Sequence, residues 1–176
     1  MKRTLLIATA LLLTGCATTQ PVAQKGEVIS CGSVSIDKTI TNGISVECVD
    51  GSTGALIQSL RGPMVLNVWG SWCTSCLAEM PEFVSFYGKA KGKVQLVGVA
   101  VEEAAPANSQ RFIEKHGMTW PNFYDRDNKT RGYFGMGVPV TWFIDDRGQV
   151  KYKKIGVIES ETELINLTKK YLGVKI

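Results

Sequence analysis

The chain has 176 residues and a mass of 19.2 kDa, enough for one domain with a full core and too short for two. Apolar residues make up 44% and charged residues 20%, and the 18 glycines and 6 prolines follow no period, which excludes a disordered or collagen-like chain. The formal charge is +4 and falls to +2 (18 basic against 16 acidic) without Lys2 and Arg3, too little and too dispersed for a nucleic-acid surface; a single histidine excludes a multi-histidine metal site.

Lys2-Arg3 precedes Leu5 to Leu13, nine residues that are apolar apart from Thr9, and then Leu13-Thr14-Gly15-Cys16. A basic start and a short apolar run make an export signal, and the run is far shorter than the ~20 residues that span a bilayer as a helix. An ordinary secretory signal or an anchor are the alternatives. Leu-Thr-Gly-Cys resembles the bacterial lipobox, which implies a signal peptide over 1–15 and a lipid on Cys16. Small polar residues from Ala17 to Lys25 read as a flexible tether over 16–30, leaving 31–176 as the domain. Export permits disulfides. Of the four remaining cysteines, Cys73 and Cys76 are two residues apart, and a pair there leaves Cys31 with Cys48.

Residues 33–49 alternate apolar and polar about Asn42-Gly43, a hairpin signal. Its register would set Cys48 opposite Asp37 rather than Cys31, so a Cys31–Cys48 bridge requires the preceding chain to fold back. Met64 to Trp69 and Val94 to Val101 are apolar runs suited to buried parallel strands. Between them a helix carries Leu77, Met80, Val84 and Tyr87 as one apolar face. Residues 106–116 form a helix stopped by Gly117. Pro139 to Asp145 and Gln149 to Lys154 are strands joined by a tight turn, and a last helix opens at Ser160 with a capping box to Glu163. Strands alternating with helices, then a hairpin and a closing helix, predict an α/β sandwich with a mixed sheet.

The chemistry gathers at Trp72-Cys73-Thr74-Ser75-Cys76, at a junction of strand and helix. Unpaired N–H groups and the dipole at a helix N-terminus favour a thiolate at the first cysteine. The second, one turn on, is close enough to attack a mixed disulfide and release the product. Half of a zinc site would need a second such pair or more histidines, and a structural bridge across so short a loop gains little entropy.

Trp72-Cys73-x-x-Cys76 after a strand resembles thioredoxin. So do Pro81, five residues beyond the second cysteine, and Gly137-Val138-Pro139-Val140-Thr141, which is similar to the cis-proline loop. Trp69-Gly70-Ser71-Trp72-Cys73, Glu79-Met80-Pro81, Leu60-Arg61-Gly62 and Phe143-Ile144-Asp145 with Arg147-Gly148 resemble the TlpA/ResA-type thioredoxin-like lipoproteins over about residues 44–174. The resemblance implies a thioredoxin-like fold with an N-terminal hairpin extension (31–59) and a central αβ insertion near 104–125. It implies an extracytoplasmic, membrane-anchored reductant of protein disulfides, such as the haem-attachment cysteines of apocytochrome c, resupplied by a membrane thiol-transfer reductant and needing no metal or other cofactor. Within it, Cys73 is the nucleophile, Cys76 the resolving thiol, Glu79 the acid near the pair and Pro139 the cis proline, with Trp72 and Val138 against the substrate. Where a cytosolic thioredoxin has a buried Asp, six residues before the first cysteine, this chain has Asn67, so Glu79 carries the acid; a solvated Glu79 is the alternative.

Rival functions are an oxidant of folding exported proteins and a copper-binding chaperone; the chaperone branch has wider cysteine spacing and a late histidine, whereas His116 lies in the central insertion. A peroxidase would carry Thr or Ser three residues before the reactive cysteine, where Gly70 stands. Trp120, Trp142 and Phe143 are expected to pack in the core, His116 to cap its helix or lie on the surface, and Glu102-Glu103 to be solvated.

Overall fold

The computed structural model describes residues 25–176; the signal segment, Cys16 and most of the tether lie outside them. Seven strands form one mixed sheet: β1 (Ser45–Cys48), β2 (Ala55–Leu56), β3 (Met64–Trp69), β4 (Gln95–Ala100), β5 (Asn122–Tyr124), β6 (Val140–Ile144) and β7 (Val150–Ile155), in the order β2-β1-β5-β4-β3-β6-β7. The helices are α1 (Thr74–Ala90), α2 (Pro106–Lys115) and α3 (Glu161–Leu172). β3 lies parallel to β4 and antiparallel to β6, and all six of its residues are buried. Both faces are covered. Val65 and Trp69 join a core with Met80, Phe83 and Phe86 of α1 and Leu164 of α3. Met64, Leu66 and Val68 face a second core with Ile57, Leu60, Phe134 and Trp142. A strand enclosed on two sides has no polar face to alternate, so it reads as an unbroken apolar run.

The central insertion is α2 followed by β5, which enters the sheet between β1 and β4. Phe112 of α2 stacks on Trp69 at 4.7 Å, tying the insertion to the end of β3. His116 caps α2, with its ring 4.5 Å from that of Phe112, and Gly117 follows at φ 73°, where a Cβ would be strained. Trp120, Trp142 and Phe143 are buried. Ser160 Oγ accepts the Glu163 N–H (3.1 Å), and the Glu163 carboxylate accepts the Glu159 N–H (2.8 Å), so the capping box closes α3 one residue earlier than its usual form.

Two expectations need correcting. No hairpin turns at Asn42-Gly43. Asp37 accepts from the N–H and hydroxyl of Thr39 (2.9 and 2.6 Å) and pairs with Arg61 (2.8 Å), while Ile36 bridges to Leu60. These bonds take residues 36–40 to the 59–61 segment, and β1 pairs instead with β2 and β5. The hairpin of the N-terminal extension therefore lies between β1 and β2. Its consequence is direct: Ile29 runs beside Pro121 ahead of β5, Cys48 faces Phe123 across the β1–β5 pair, and Cys31 meets Cys48 with an S–S distance of 1.96 Å. Both sulfurs lie against the Asn122 carbonyl oxygen, at 3.4 and 3.6 Å.

The second correction concerns α1. Its buried face is Cys76, Glu79, Met80, Phe83, Phe86 and Ala90; Leu77 is exposed, and Val84 and Tyr87 are only half-buried. Two apolar stripes overlap on this helix, and the stripe containing Cys76 is the one that faces the sheet.

Candidate active site

The end of β3 delivers the chain into Gly70-Ser71-Trp72-Cys73, a turn closed by the Cys73 N–H on the Gly70 carbonyl (3.1 Å). A Cβ at Gly70 would come within 2.6 Å of the Trp72 indole nitrogen, so a larger residue there would push the indole from its place over the turn. Cys73 is the N-cap of α1, and its sulfur accepts the Cys76 N–H at 3.0 Å, the place a serine or aspartate oxygen takes in an ordinary cap. The two cysteines are bonded, with S–S 2.17 Å and Cα–Cα 5.2 Å. Cys73 is 6% exposed and Cys76 fully buried, so the outer sulfur is the reachable one. When reduced, a Cys73 thiolate here faces the first N–H groups of a 17-residue helix, which favour negative charge.

The Val138–Pro139 peptide is cis, and the Val138 carbonyl oxygen lies 3.8 Å from Cys73 Sγ. The Gly156 N–H holds the Pro139 carbonyl (3.0 Å), which fixes the loop against the start of β6. Trp72 is 54% exposed beside this pair, its indole N–H donating to the Val101 carbonyl (3.3 Å). A cleft runs from Trp72 along Val68, Val101, Phe134 and Val138. Met136, two residues before Val138, projects fully into solvent.

Glu79 is not solvated. It has no exposed surface, three residues along α1 from Cys76 on the same buried face. Its Oε1 accepts from the Asn67 side-chain amide (2.8 Å) and its Oε2 from the Ile158 N–H (2.9 Å). Burial outweighs these two donors and pushes the Glu79 carboxyl up to about 7. Asn67, noted in the sequence only for the acid it replaces, is thus the neutral partner of the acid that is present.

Glu103 corrects the expectation of a solvated pair. Glu102 is exposed, but Glu103 is 9% exposed and accepts from Ser71, at 2.5 Å from the N–H and 2.7 Å from the hydroxyl. Asn122 is a further residue that the sequence did not single out. Its Oδ1 accepts from Trp69 Nε1 (3.1 Å) and its amide donates to the Trp120 carbonyl (2.7 Å), joining the Cys31–Cys48 region to the end of β3. No signal beyond its place at the start of a short strand marks it. Among the described residues, no group of three or more histidine, cysteine, aspartate or glutamate side chains is placed to hold a metal ion.

The chain is similar to known proteins of this architecture. It is 35% identical over 108 residues to the thiol-disulfide oxidoreductase ResA of Geobacillus thermodenitrificans, covering 60% of this chain and 62% of that one. It is 31% identical over 104 residues to the thiol:disulfide interchange protein DsbE of Pseudomonas aeruginosa, covering 58% and 56%. The match thus spans less than two thirds of the length of these relatives. Among solved structures, dsbF of MTB superposes with a TM-score of 0.63 at 25% identity, over 72% of this chain and 93% of that one. StoA from Bacillus subtilis superposes with a TM-score of 0.58 at 24% identity, over 71% and 95%. The fold is therefore thioredoxin-like. The AhpC/TSA family model matches residues 40–153, from ahead of β1 into β7 and across the dithiol, Glu79 and the cis proline: the chain belongs to the AhpC/TSA family.

Proposed function

We propose that the protein is a thiol–disulfide oxidoreductase, held outside the cytoplasm by a lipid on Cys16, that reduces protein disulfides through Cys73 and Cys76. The observation that carries this reading is the bonded pair at the α1 N-cap, with Cys73 against the cis-proline loop and Cys76 buried behind it. In the reduced protein the Cys73 thiolate attacks one sulfur of the substrate disulfide, forming a mixed disulfide and expelling the other substrate sulfur as a thiolate. Cys76 loses its proton to Glu79 and attacks Cys73 Sγ. This forms the Cys73–Cys76 disulfide and expels the second substrate thiolate, which takes up a proton. Two electrons pass to the substrate, and a membrane thiol-transfer partner must return them. A carboxyl that titrates near 7 can both accept and return a proton at neutral pH.

Val138 and Pro139 present backbone beside Cys73, and Trp72 gives an exposed aromatic surface for the polypeptide that carries the disulfide. Apocytochrome c is the substrate favoured by the resemblance to ResA-type proteins. Haem-attachment cysteines must be reduced before they bind haem, and their disulfide is a short exposed loop that this surface would accept.

The test is trapping. Cys76→Ala should accumulate a mixed disulfide with a haem-attachment-motif peptide disulfide, visible as a mass adduct, and Cys73→Ala should form none. Alkylation of the reduced wild type should modify Cys73 first. An adduct on Cys73→Ala, or faster alkylation of Cys76, would overturn the assignment. Electron direction is read by equilibrating the protein with glutathione buffers: a pair reduced less readily than glutathione serves reduction, and a strongly oxidising pair would favour an oxidant of folding proteins.

A further inference from the structure

Ser71 sits two residues before Cys73, in the turn that brings the sulfur out of the sheet. Its N–H and its hydroxyl both donate to one carboxylate, that of Glu103, at 2.5 and 2.7 Å. Glu103 is 9% exposed, and it reaches Ser71 from the loop after β4, 32 residues away in sequence. That loop grips the turn at two further points. The Val101 N–H donates to the Trp69 carbonyl (2.9 Å), and the Val101 carbonyl accepts from the Trp72 indole (3.3 Å). Between Val101 and Glu103, Glu102 adopts φ 52°, a left-handed conformation that a residue with a Cβ takes up only under constraint. The constraint is visible in its result: Glu102 turns out towards Arg131 (3.9 Å) and Glu103 turns in.

We infer that Glu103 is a positioning residue that clamps the Ser71 turn and so sets Cys73 Sγ between the Cys76 N–H and the Val138 carbonyl. The inference rests on Cys73 being the attacking thiol. A carboxylate is a costly choice for a simple loop tie, because its negative charge lies near the site where the Cys73 thiolate must form. What it offers is two acceptor oxygens, enough to take both donors of one serine. The turn closes through the Cys73 N–H on Gly70 and continues into the helix cap, so its register decides whether the sulfur meets the Cys76 N–H at 3.0 Å. That hydrogen bond and the helix N-terminus are what stabilise the thiolate.

Position and charge make opposite predictions for two conservative variants. Glu103→Gln keeps the reach: its carbonyl accepts the Ser71 N–H and its amide donates to the Ser71 hydroxyl. Glu103→Asp keeps the charge and loses the reach. The probe is iodoacetamide alkylation of reduced Cys73 against pH, with turnover on a peptide disulfide alongside. If Glu103 positions the turn, Glu103→Gln stays within about twofold of wild type in turnover and its Cys73 becomes slightly more acidic. Glu103→Asp and Glu103→Ala then show a Cys73 raised by about one pH unit, with about tenfold less thiolate and slower alkylation near neutral pH. Ser71→Ala should add nothing to Glu103→Ala, because both act through one contact. The inference is overturned if Glu103→Asp matches wild type while Glu103→Gln departs from it, or if all the variants alkylate alike. Should Glu103→Ala fail to fold, the Gln and Asp pair still decides. Failure of the underlying reading is separate: it would appear in the wild type, as Cys76 alkylating ahead of Cys73.

Discussion

Replacing Glu79 with glutamine separates the shape of this side chain from its charge. Glu79 is fully buried, and its two oxygens accept from Asn67 and from the Ile158 N–H. A glutamine carbonyl can keep the Ile158 bond. Asn67 Oδ1 has no partner among the described residues, so turning the Asn67 amide over lets that oxygen accept from the new amide. The substitution leaves no cavity, and the turned Asn67 amide nitrogen takes the partnerless place of its oxygen, a cost of about 1–3 kcal/mol that does not vary with pH. The carboxyl is raised from its ordinary 4.5 to about 7, chiefly by burial. The folded protein therefore binds more protons than the unfolded chain between pH 4.5 and 7, so stability is greatest below this window and falls as pH rises through it. A shift of this size at 1.36 kcal/mol per pH unit corresponds to about 3 kcal/mol. The surface acids that are stabilised as anions, the half-buried Asp37 by Thr39 and the exposed Asp127 by Lys129, lose their contribution only as pH falls through lower values, so their windows are distinct from that of Glu79.

Denaturant unfolding of the oxidised protein at pH 5 and pH 8, at fixed ionic strength, reads this directly. The wild type should lose most of that ~3 kcal/mol between the two pH values, whereas Glu79→Gln should show no such loss and keep only the gain with rising pH from His116, whose pKa burial lowers. In the reduced protein the same substitution should lower the apparent pKa values of the dithiol, by removing a like charge, and slow turnover ~10–100-fold, by removing the proton acceptor. Parallel pH profiles for the two proteins would refute the reasoning, since a carboxylate whose ionisation costs nothing is not held in this environment.

Removing the second disulfide with Cys31→Ala and Cys48→Ala should lower stability by about 3 kcal/mol, the chain-entropy value for a loop of about 18 residues; a variant with an unchanged urea midpoint would contradict it. Asn122→Ala strands the buried Trp69 indole N–H and should cost ~1–3 kcal/mol by thermal unfolding, whereas a loss below ~0.5 kcal/mol would mean that water replaces the amide. Protein extracted from membranes should begin at Cys16 and carry a diacylglycerol-type mass increment there; an unmodified Cys16 or another N-terminus would exclude the lipid anchor.

What was legible in the sequence was what local chemistry decides. β3 and β4 announce themselves as apolar runs because the sheet is covered on both faces, and the dithiol announces itself because four consecutive residues hold both sulfurs. The N-terminal extension was not legible, because a good local turn at Asn42-Gly43 lost to contacts made at a distance: Asp37 with Arg61 and Ile36 with Leu60. The face of α1 was misread for a related reason. Glu79 belongs to the buried stripe, and a charged residue there made the neighbouring stripe through Leu77 look the more apolar. Glu102 and Glu103 are chemically identical in sequence. Only the left-handed turn at Glu102 sends one to solvent and the other to Ser71.

The exchange of the strand acid for Asn67 bears on how many protons the site can hold. Asn67 and Glu79 are 2.8 Å apart, at a depth where a single carboxyl already titrates near 7. With aspartate at the strand position as well, two carboxyls at that distance could not both ionise. They would share one proton and titrate as a coupled pair, one member pushed far above neutral. An amide at position 67 removes that coupling and supplies a hydrogen-bond donor in its place. Glu79 is thereby left as one group with one titration, on the helix face that carries Cys76. Glu79 and Cys76 thus ride on the same rigid element, and their separation is set by the i, i+3 spacing of α1 rather than by how the helix docks on the sheet.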